Sequence, residues 1–202
     1  MRYRSAAEVP RSLRQLSLFG AEAVDPSPAD LAGLLAGPAE LGRMGGTARI
    51  SVDVDHAWRV HVLVAEFAAR GLTASWAQAD AGRLTVRTAY ATSLASLAAA
   101  WLASGTRRPP EEFYLTGPRL RMWVAAAGVV DPPGVVLPLG PTDDVGRARI
   151  GAALAAVGVP GSLLDAGAGG PAYRITGRRP LARLAELVGP RPAAAPPENW
   201  PG

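Results

Sequence analysis

The segment Gln15-Leu16-Ser17-Leu18-Phe19 combines one amide side chain with three large apolar side chains. It lies within residues 1–26, where Arg, Pro and Ala are frequent and no helix or strand periodicity is sustained. Gln15 can donate and accept hydrogen bonds in a polar pocket, while Leu18 and Phe19 suit an apolar cleft. Exposed apolar side chains on a mobile arm usually serve a partner, so the pattern predicts a docking peptide. The competing interpretation is a strand or helical turn that packs on its own domain.

This pentapeptide resembles, letter for letter, the motif by which many bacterial proteins dock on the replication sliding clamp, the β subunit of DNA polymerase III. The resemblance implies that Gln15, Leu16, Leu18 and Phe19 contact the clamp, whereas Ser17 faces solvent. A short segment that must order on docking binds weakly, so we expect a micromolar affinity. Residues 20–29 would give the peptide a reach of up to ~35 Å. A second contact with DNA would then raise the overall affinity through avidity.

Carboxylates and histidines give only weak metal or catalytic patterns. Asp53, Asp55 and His56 would form a metal pocket at the end of a strand, but we favour Asp55 as a helix cap and Asp53 as a solvated side chain. No Ser–His–Asp arrangement and no nucleotide-binding glycine motif occurs. We therefore predict no catalytic residues, no metal and no cofactor.

The composition favours an anionic partner. All 21 basic residues are arginine, the formal net charge is +4 and the pI is about 10.3. Arginine holds phosphate oxygens through a bidentate fork. The chain has no cysteine, no apolar signal-peptide core and no uncharged apolar run long enough to span a bilayer. These features predict a cytoplasmic protein without disulfides.

The apolar periodicity predicts an α/β (α+β) fold in which helix, strand, helix, hairpin and helix occur twice. The segment HVLVAEFAARGL precedes the similar RIGAALAAVGV by about 87 residues. Two homologous halves about a pseudo-two-fold axis would explain this spacing; ordinary α/β patterning in an Ala-rich chain is the alternative. The predicted units are a flexible arm (1–26), a first half (27–105), a linker (106–117), a second half (118–190) and a disordered tail (191–202).

The helix sequence Leu31-Ala32-Gly33-Leu34-Leu35-Ala36-Gly37 resembles the motif that names the LAGLIDADG homing endonucleases, and residues 120–128 stand at the matching place in the second half. In that family the two motif helices pack centrally through small residues, and an acid near each helix end binds a divalent metal for phosphodiester cleavage. The matching positions here are Pro38 and Ala127, which offer no ligand. Glu40 and Asp131 follow a few residues later and would require a shifted register. The resemblance therefore implies the fold without cleavage, as in the WhiA-type sporulation regulators, and we expect no enzyme activity.

The same resemblance implies a saddle of two sheets whose exposed strand faces contact duplex DNA. Arg83 and Arg87 are four residues apart on a predicted strand and so share a face. The alternative is that such arginines are merely solvated. The candidate phosphate contacts are Arg49, Arg83, Arg87, Arg174, Arg178 and Arg179.

Together these patterns predict a non-catalytic, monomeric, nucleoid-associated accessory protein of DNA replication or repair. It would bind the sliding clamp through its QLSLF motif and duplex DNA through a basic sheet face. One alternative is a sequence-specific transcription regulator of the WhiA type that binds no clamp. Another is a metal-dependent nuclease that uses the displaced acids Glu40 and Asp131.

Overall fold

The structure is a computed structural model and describes residues 25–103, 105–165 and 170–202, in which the chain forms six α-helices and eight β-strands. The elements of the first half are α1 (Ala32–Ala36), β1 (Glu40–Met44), β2 (Thr47–Val54), α2 (Ala57–Ala69), β3 (Ala74–Gln78), β4 (Leu84–Thr88) and α3 (Ala95–Trp101). Those of the second half are α4 (Gly117–Ala127), β5 (Val129–Asp131), β6 (Gly134–Pro138), α5 (Asp144–Ala156), β7 (Ser162–Leu164), β8 (Ala172–Thr176) and α6 (Arg178–Val188).

The two halves share one topology. Each contains an antiparallel four-stranded sheet, with strand orders β1-β2-β4-β3 and β5-β6-β8-β7. Helices α2 and α5 each have 13 residues and begin 87 positions apart, at Ala57 and Asp144. The prediction of an α+β chain with two pseudo-symmetric halves is confirmed.

Each half differs from the predicted pattern by one added strand. β1 and β5 turn the single strand expected before α2 and before α5 into a hairpin. β1 is an edge strand on which no residue is fully buried, and β5 has only three residues. Neither therefore shows the alternation of apolar and polar residues by which a half-buried strand is recognised.

The inner face of each sheet packs against helices. On β2 the alternation places Ile50, Val52 and Val54 inside, each at most 2% exposed. Leu63 and Phe67 of α2 are fully buried in the same core. The other face of β2 points away from this core and carries Arg49 and Ser51, so the strand period alone separates core from candidate interface.

Two helices, α1 and α4, pack against each other at the centre of the molecule. A 3₁₀ turn (Pro28–Leu31) leads into α1, and Ser27 begins this turn with a capping box. The Ser27 side chain accepts a hydrogen bond from the backbone of the turn, and Asp30 accepts one from the Ser27 backbone. α1 is buried on every side, as an Ala-, Gly- and Leu-only helix requires. Its Gly33 lies directly against the backbone of Arg119.

The C-terminal residues, predicted as a disordered tail, pack on the second half. Trp200 is 4% exposed and donates from Nε1 to the Gly189 carbonyl oxygen at 3.3 Å, and the Arg121 guanidinium lies 5.2 Å from its ring centroid. Ala195 is also buried. The prediction is wrong because one large aromatic side chain buries enough apolar area to order a Pro- and Ala-rich segment. No helix in residues 25–103, 105–165 and 170–202 is long and apolar enough to cross a membrane.

Candidate nucleic-acid interface

The outer face of the first sheet carries an arginine at its centre. Arg87 of β4 is exposed between buried Val86 and Thr88, and its cross-strand partners are Ser51 of β2 and Ser75 of β3. Arginine flanked by hydroxyl groups offers both a charge for phosphate and neutral hydrogen-bonding groups for base edges.

Two further predicted arginines lie on this face. Arg49 of β2 stands opposite Gly42 of β1, and its guanidinium lies 4.9 Å from the centroid of the Tyr90 ring. Arg83 precedes β4 and donates to the Asp53 carbonyl oxygen at 3.0 Å. In the described part of the chain, none of Arg49, Arg83 and Arg87 has a carboxylate oxygen within 4 Å. Their charges are therefore available to an anion, and the structure brings these three predicted residues together.

The outer face of the second sheet is different. Arg174 of β8 occupies the central position, with Val136 and Ser162 as its cross-strand partners, but it forms an ion pair with Asp131 of β5. The other side chains of this face include Val129, which is 43% exposed. The charge of Arg174 is thus balanced within the protein by Asp131.

The last two predicted contacts do not lie on a strand. Arg178 and Arg179 are exposed in the first turn of α6, after Gly177, whose φ of 89° is easily adopted only by glycine. This placement corrects the strand or hairpin position predicted for them. Both arginines follow β8 directly, and the change from strand to helix occurs at Gly177, so they belong to the first turn of α6.

A buried arginine closes the C-terminal end of α4, which sequence reasoning did not foresee. Arg59 of α2 is 2% exposed and donates from Nη1 to the carbonyl oxygens of Val124 and Ala125 (both 3.1 Å) and from Nη2 to that of Gly128 (2.7 Å). Its Nε donates to Asp55 at 2.8 Å. Burial lowers the pKa of Arg59, while the Asp55 carboxylate opposes that shift. Asp55 is therefore a partner of Arg59, whereas the N-cap residue of α2 is His56.

A second arginine closes the end of α1 in the same way. Arg107 donates to the carbonyl oxygens of Leu35, Gly37 and Ala39, the distance to Gly37 being 2.6 Å. Burial lowers the pKa of Arg107 to about 10, so the guanidinium is charged at neutral pH. Both central helices thus end on a guanidinium, which also complements the negative end of each helix dipole. Arg59 stands alone in a helix pattern and Arg107 lies in the polar segment 106–112. Arginines in both contexts are usually solvated, so the sequence holds no signal for either role.

A divalent metal does not fit at these helix ends. Pro38 and Ala127 provide no ligand, and in the described ranges no three His, Asp or Glu side chains are grouped to hold a metal ion. Of the two displaced acids, Asp131 forms an ion pair with Arg174, which metal ligation would have to break. Glu40 is exposed on β1 and lies opposite Ser51 on the outer face of the first sheet.

The predicted clamp-binding residues Gln15, Leu16, Ser17, Leu18 and Phe19 lie outside the described residues. The described chain begins next to the N-terminal ends of the two central helices, where Pro26 lines a surface cavity with Gly117, Pro118 and Pro190. The sheets follow the opposite, C-terminal ends of these helices, since α1 leads into β1 and α4 into β5.

Neither a protein-family profile nor a curated protein sequence matches the chain. Solved structures do match. The homing endonuclease I-WcaI bound to its DNA recognition sequence has a TM-score of 0.59 at 12% identity, and the match covers 79% of each chain. The homing endonuclease I-DmoI in complex with DNA and Ca has a TM-score of 0.48 at 16% identity, covering 85% of this chain and 93% of the other.

The match to I-WcaI corrects one prediction and confirms another. The expectation that the chain is not an enzyme is contradicted, because the solved structure that shares its fold is a homing endonuclease. The expected arrangement of two motif helices between two sheets is confirmed. The chain has a LAGLIDADG-like fold, shared with a homing endonuclease.

Proposed function

We propose that this protein binds duplex DNA through the outer faces of its sheets, with Arg49, Arg83 and Arg87 as phosphate contacts. The observation that carries the proposal is the first sheet, where three arginines without carboxylate partners share one face with hydroxyl side chains. The match to I-WcaI supports it, since that endonuclease is bound to its DNA recognition sequence.

Salt dependence tests this proposal. Three phosphate contacts predict that the logarithm of the association constant falls with the logarithm of salt concentration with a slope of about −3. Fluorescence anisotropy with a labelled duplex, from 50 to 200 mM salt, measures this slope, and single-stranded DNA of equal length serves as the control. Absence of binding at 50 mM salt, or binding insensitive to salt, would contradict the proposal. Strong preference for one sequence, without clamp binding, would favour a transcription regulator.

We propose in addition that the QLSLF motif docks the protein on the bacterial sliding clamp during DNA replication or repair. The complete match of Gln15 to Phe19 to the clamp-binding motif supports this role.

Binding to the purified clamp, measured by surface plasmon resonance, tests the second proposal. We expect a micromolar dissociation constant that the double substitution Leu18→Ala/Phe19→Ala abolishes, because both apolar anchors are lost. Ser17→Ala is the matched control and is expected to bind like the natural chain. A clamp that captures neither the natural chain nor the control would show that the motif serves another contact.

A further inference from the structure

We propose that the two sheets do not share the duplex equally. The first sheet holds the DNA backbone, and Asp131 removes the second sheet from this task by neutralising Arg174. This inference deepens the proposed DNA binding and rests on it. It follows from comparing equivalent positions in the two halves.

Arg87 and Arg174 are equivalent residues. Each lies in the strand that is third across its sheet, β4 or β8, 87 positions from the other. Each is flanked in register by the second strand and by the outer strand: Arg87 pairs with Ser51 and Ser75, and Arg174 with Val136 and Ser162. A role in DNA binding that followed from the fold alone would therefore apply to both arginines.

The neighbouring positions have opposite electrostatic consequences. Ser51 and Val136 are equivalent, because each pairs with the central arginine of its sheet. Two residues before them in β2 and β6 stand Arg49 and Gly134, whose partners on β1 and β5 are Gly42 and Asp131. The first half thus has a second arginine and no acid at this pair of positions, whereas the second half has an acid and no arginine. The first face also carries two exposed acids, Glu40 opposite Ser51 and Asp53 opposite Thr85, but neither lies within 4 Å of Arg49 or Arg87. The difference between the faces is therefore direct pairing: Asp131 holds Arg174 in an ion pair, whereas Arg49 and Arg87 are free to contact phosphate.

The uncharged side chains differ in the same direction. Ser51 and Thr85 on the first face are replaced at the equivalent positions by Val136 and Ala172 on the second. The Thr85 hydroxyl donates to the Asp53 carboxylate, so of these two Ser51 is the neutral group that stays available beside Arg87, and the second face has valine at that position. The eight residues of β2 extend over about 26 Å, which matches about eight base pairs. We therefore expect strong protection of one half of a bound site.

Three single variants of the full chain test the asymmetry by anisotropy on one duplex. Arg87→Ala is expected to weaken binding on the order of fivefold and to make the salt slope shallower by about 1. Arg174→Ala, the variant at the symmetry-related position, is expected to weaken binding less than Arg87→Ala, because it removes no phosphate contact and only leaves the Asp131 charge unpaired. Asp131→Asn frees Arg174 and is expected to strengthen binding and steepen the slope by about 1. Adding Arg174→Ala to Asp131→Asn should return both values to those of the natural chain.

The measured affinities test the asymmetry of the two sheets separately from the proposed DNA binding. Equal losses for Arg87→Ala and Arg174→Ala would overturn the asymmetry but leave DNA binding intact, as would an Asp131→Asn protein with unchanged affinity. No binding by the natural chain would overturn the proposed function itself. Circular dichroism spectra check that each variant is folded. We expect no change of fold, because all three side chains lie on the surface.

Discussion

Replacing Arg59 with methionine is expected to lower the free energy of unfolding by about 3–5 kcal/mol. The guanidinium supplies hydrogen bonds to three carbonyl oxygens at the end of α4, and the residues that carry them are buried. Methionine has a similar length but no donor, so these oxygens would remain without partners at about 1–3 kcal/mol each before water or backbone relaxation reduces the loss. Single domains are usually stable by only about 5–15 kcal/mol, so urea denaturation will show a large shift of the midpoint.

The control for this prediction is Asp55→Asn, which removes the ion pair but keeps the donors to α4. The Asp55 side chain is 56% exposed, so its loss is expected to cost at most about 1 kcal/mol. Equal destabilisation by Arg59→Met and Asp55→Asn would show that the ion pair, rather than the closure of the helix end, makes Arg59 important. Arg59→Lys, which keeps the charge but loses the planar fork, should fall between the two.

The contrast between Ser27 and Arg59 shows which features could be predicted from the sequence. The capping box of Ser27 joins residues three positions apart, and its residue types alone identify it. The contacts of Arg59 join it to carbonyl groups 65 to 69 positions away, and a carbonyl group is present at every residue. Local patterns therefore predict helix beginnings and sheet faces, whereas the partner of a buried arginine is known only after the fold has formed.

The candidate interface likewise has features that the local sequence predicts and features that depend on the folded structure. The strand period was sufficient to place Arg49 and Arg87 on one outer face, because alternation depends on local geometry. Whether an arginine on such a face is free depends on the neighbouring strand. Nothing in the sequence around Arg174 indicates that Asp131, 43 positions earlier, faces it across the sheet. Trp76 shows the same limit: a tryptophan on a strand usually lies in the core, but Trp76 is 59% exposed because β3 is an edge strand.

The two halves share one topology but differ at their surfaces. The core positions of β4 and β8 are buried in both halves, because both strands pack against helices: Val86 and Thr88 correspond to Tyr173 and Ile175. The outer positions are under no such constraint and differ in charge and polarity. Similarity of fold therefore reflects the buried residues that the two halves need for packing. The function of each sheet face depends on surface residues, which can differ between proteins and halves of the same fold.

Substituting Gly33 with alanine is expected to destabilise the protein by at least about 3 kcal/mol, and with valine to prevent folding. A Cβ at this position would lie 2.6 Å from the carbonyl carbon of Arg119 and overlap its oxygen. The obstacle is backbone rather than a flexible side chain, so no rotamer change can relieve it. Helices α1 and α4 would have to separate, which would open gaps around Leu34 and Trp123, both fully buried.

Gly46→Ala is the matched control, since no atom lies within 4 Å of a Cβ added in the β1–β2 turn and its stability should change by less than about 0.5 kcal/mol. Thermal and urea unfolding of the three proteins measure the difference. A Gly33→Ala protein as stable as the control would mean that the central helices do not meet at this distance. Because α1 continues into β1 and α4 into β5, their contact also fixes one sheet relative to the other. A folded Gly33 variant should therefore lose affinity for DNA without losing any phosphate-contacting arginine.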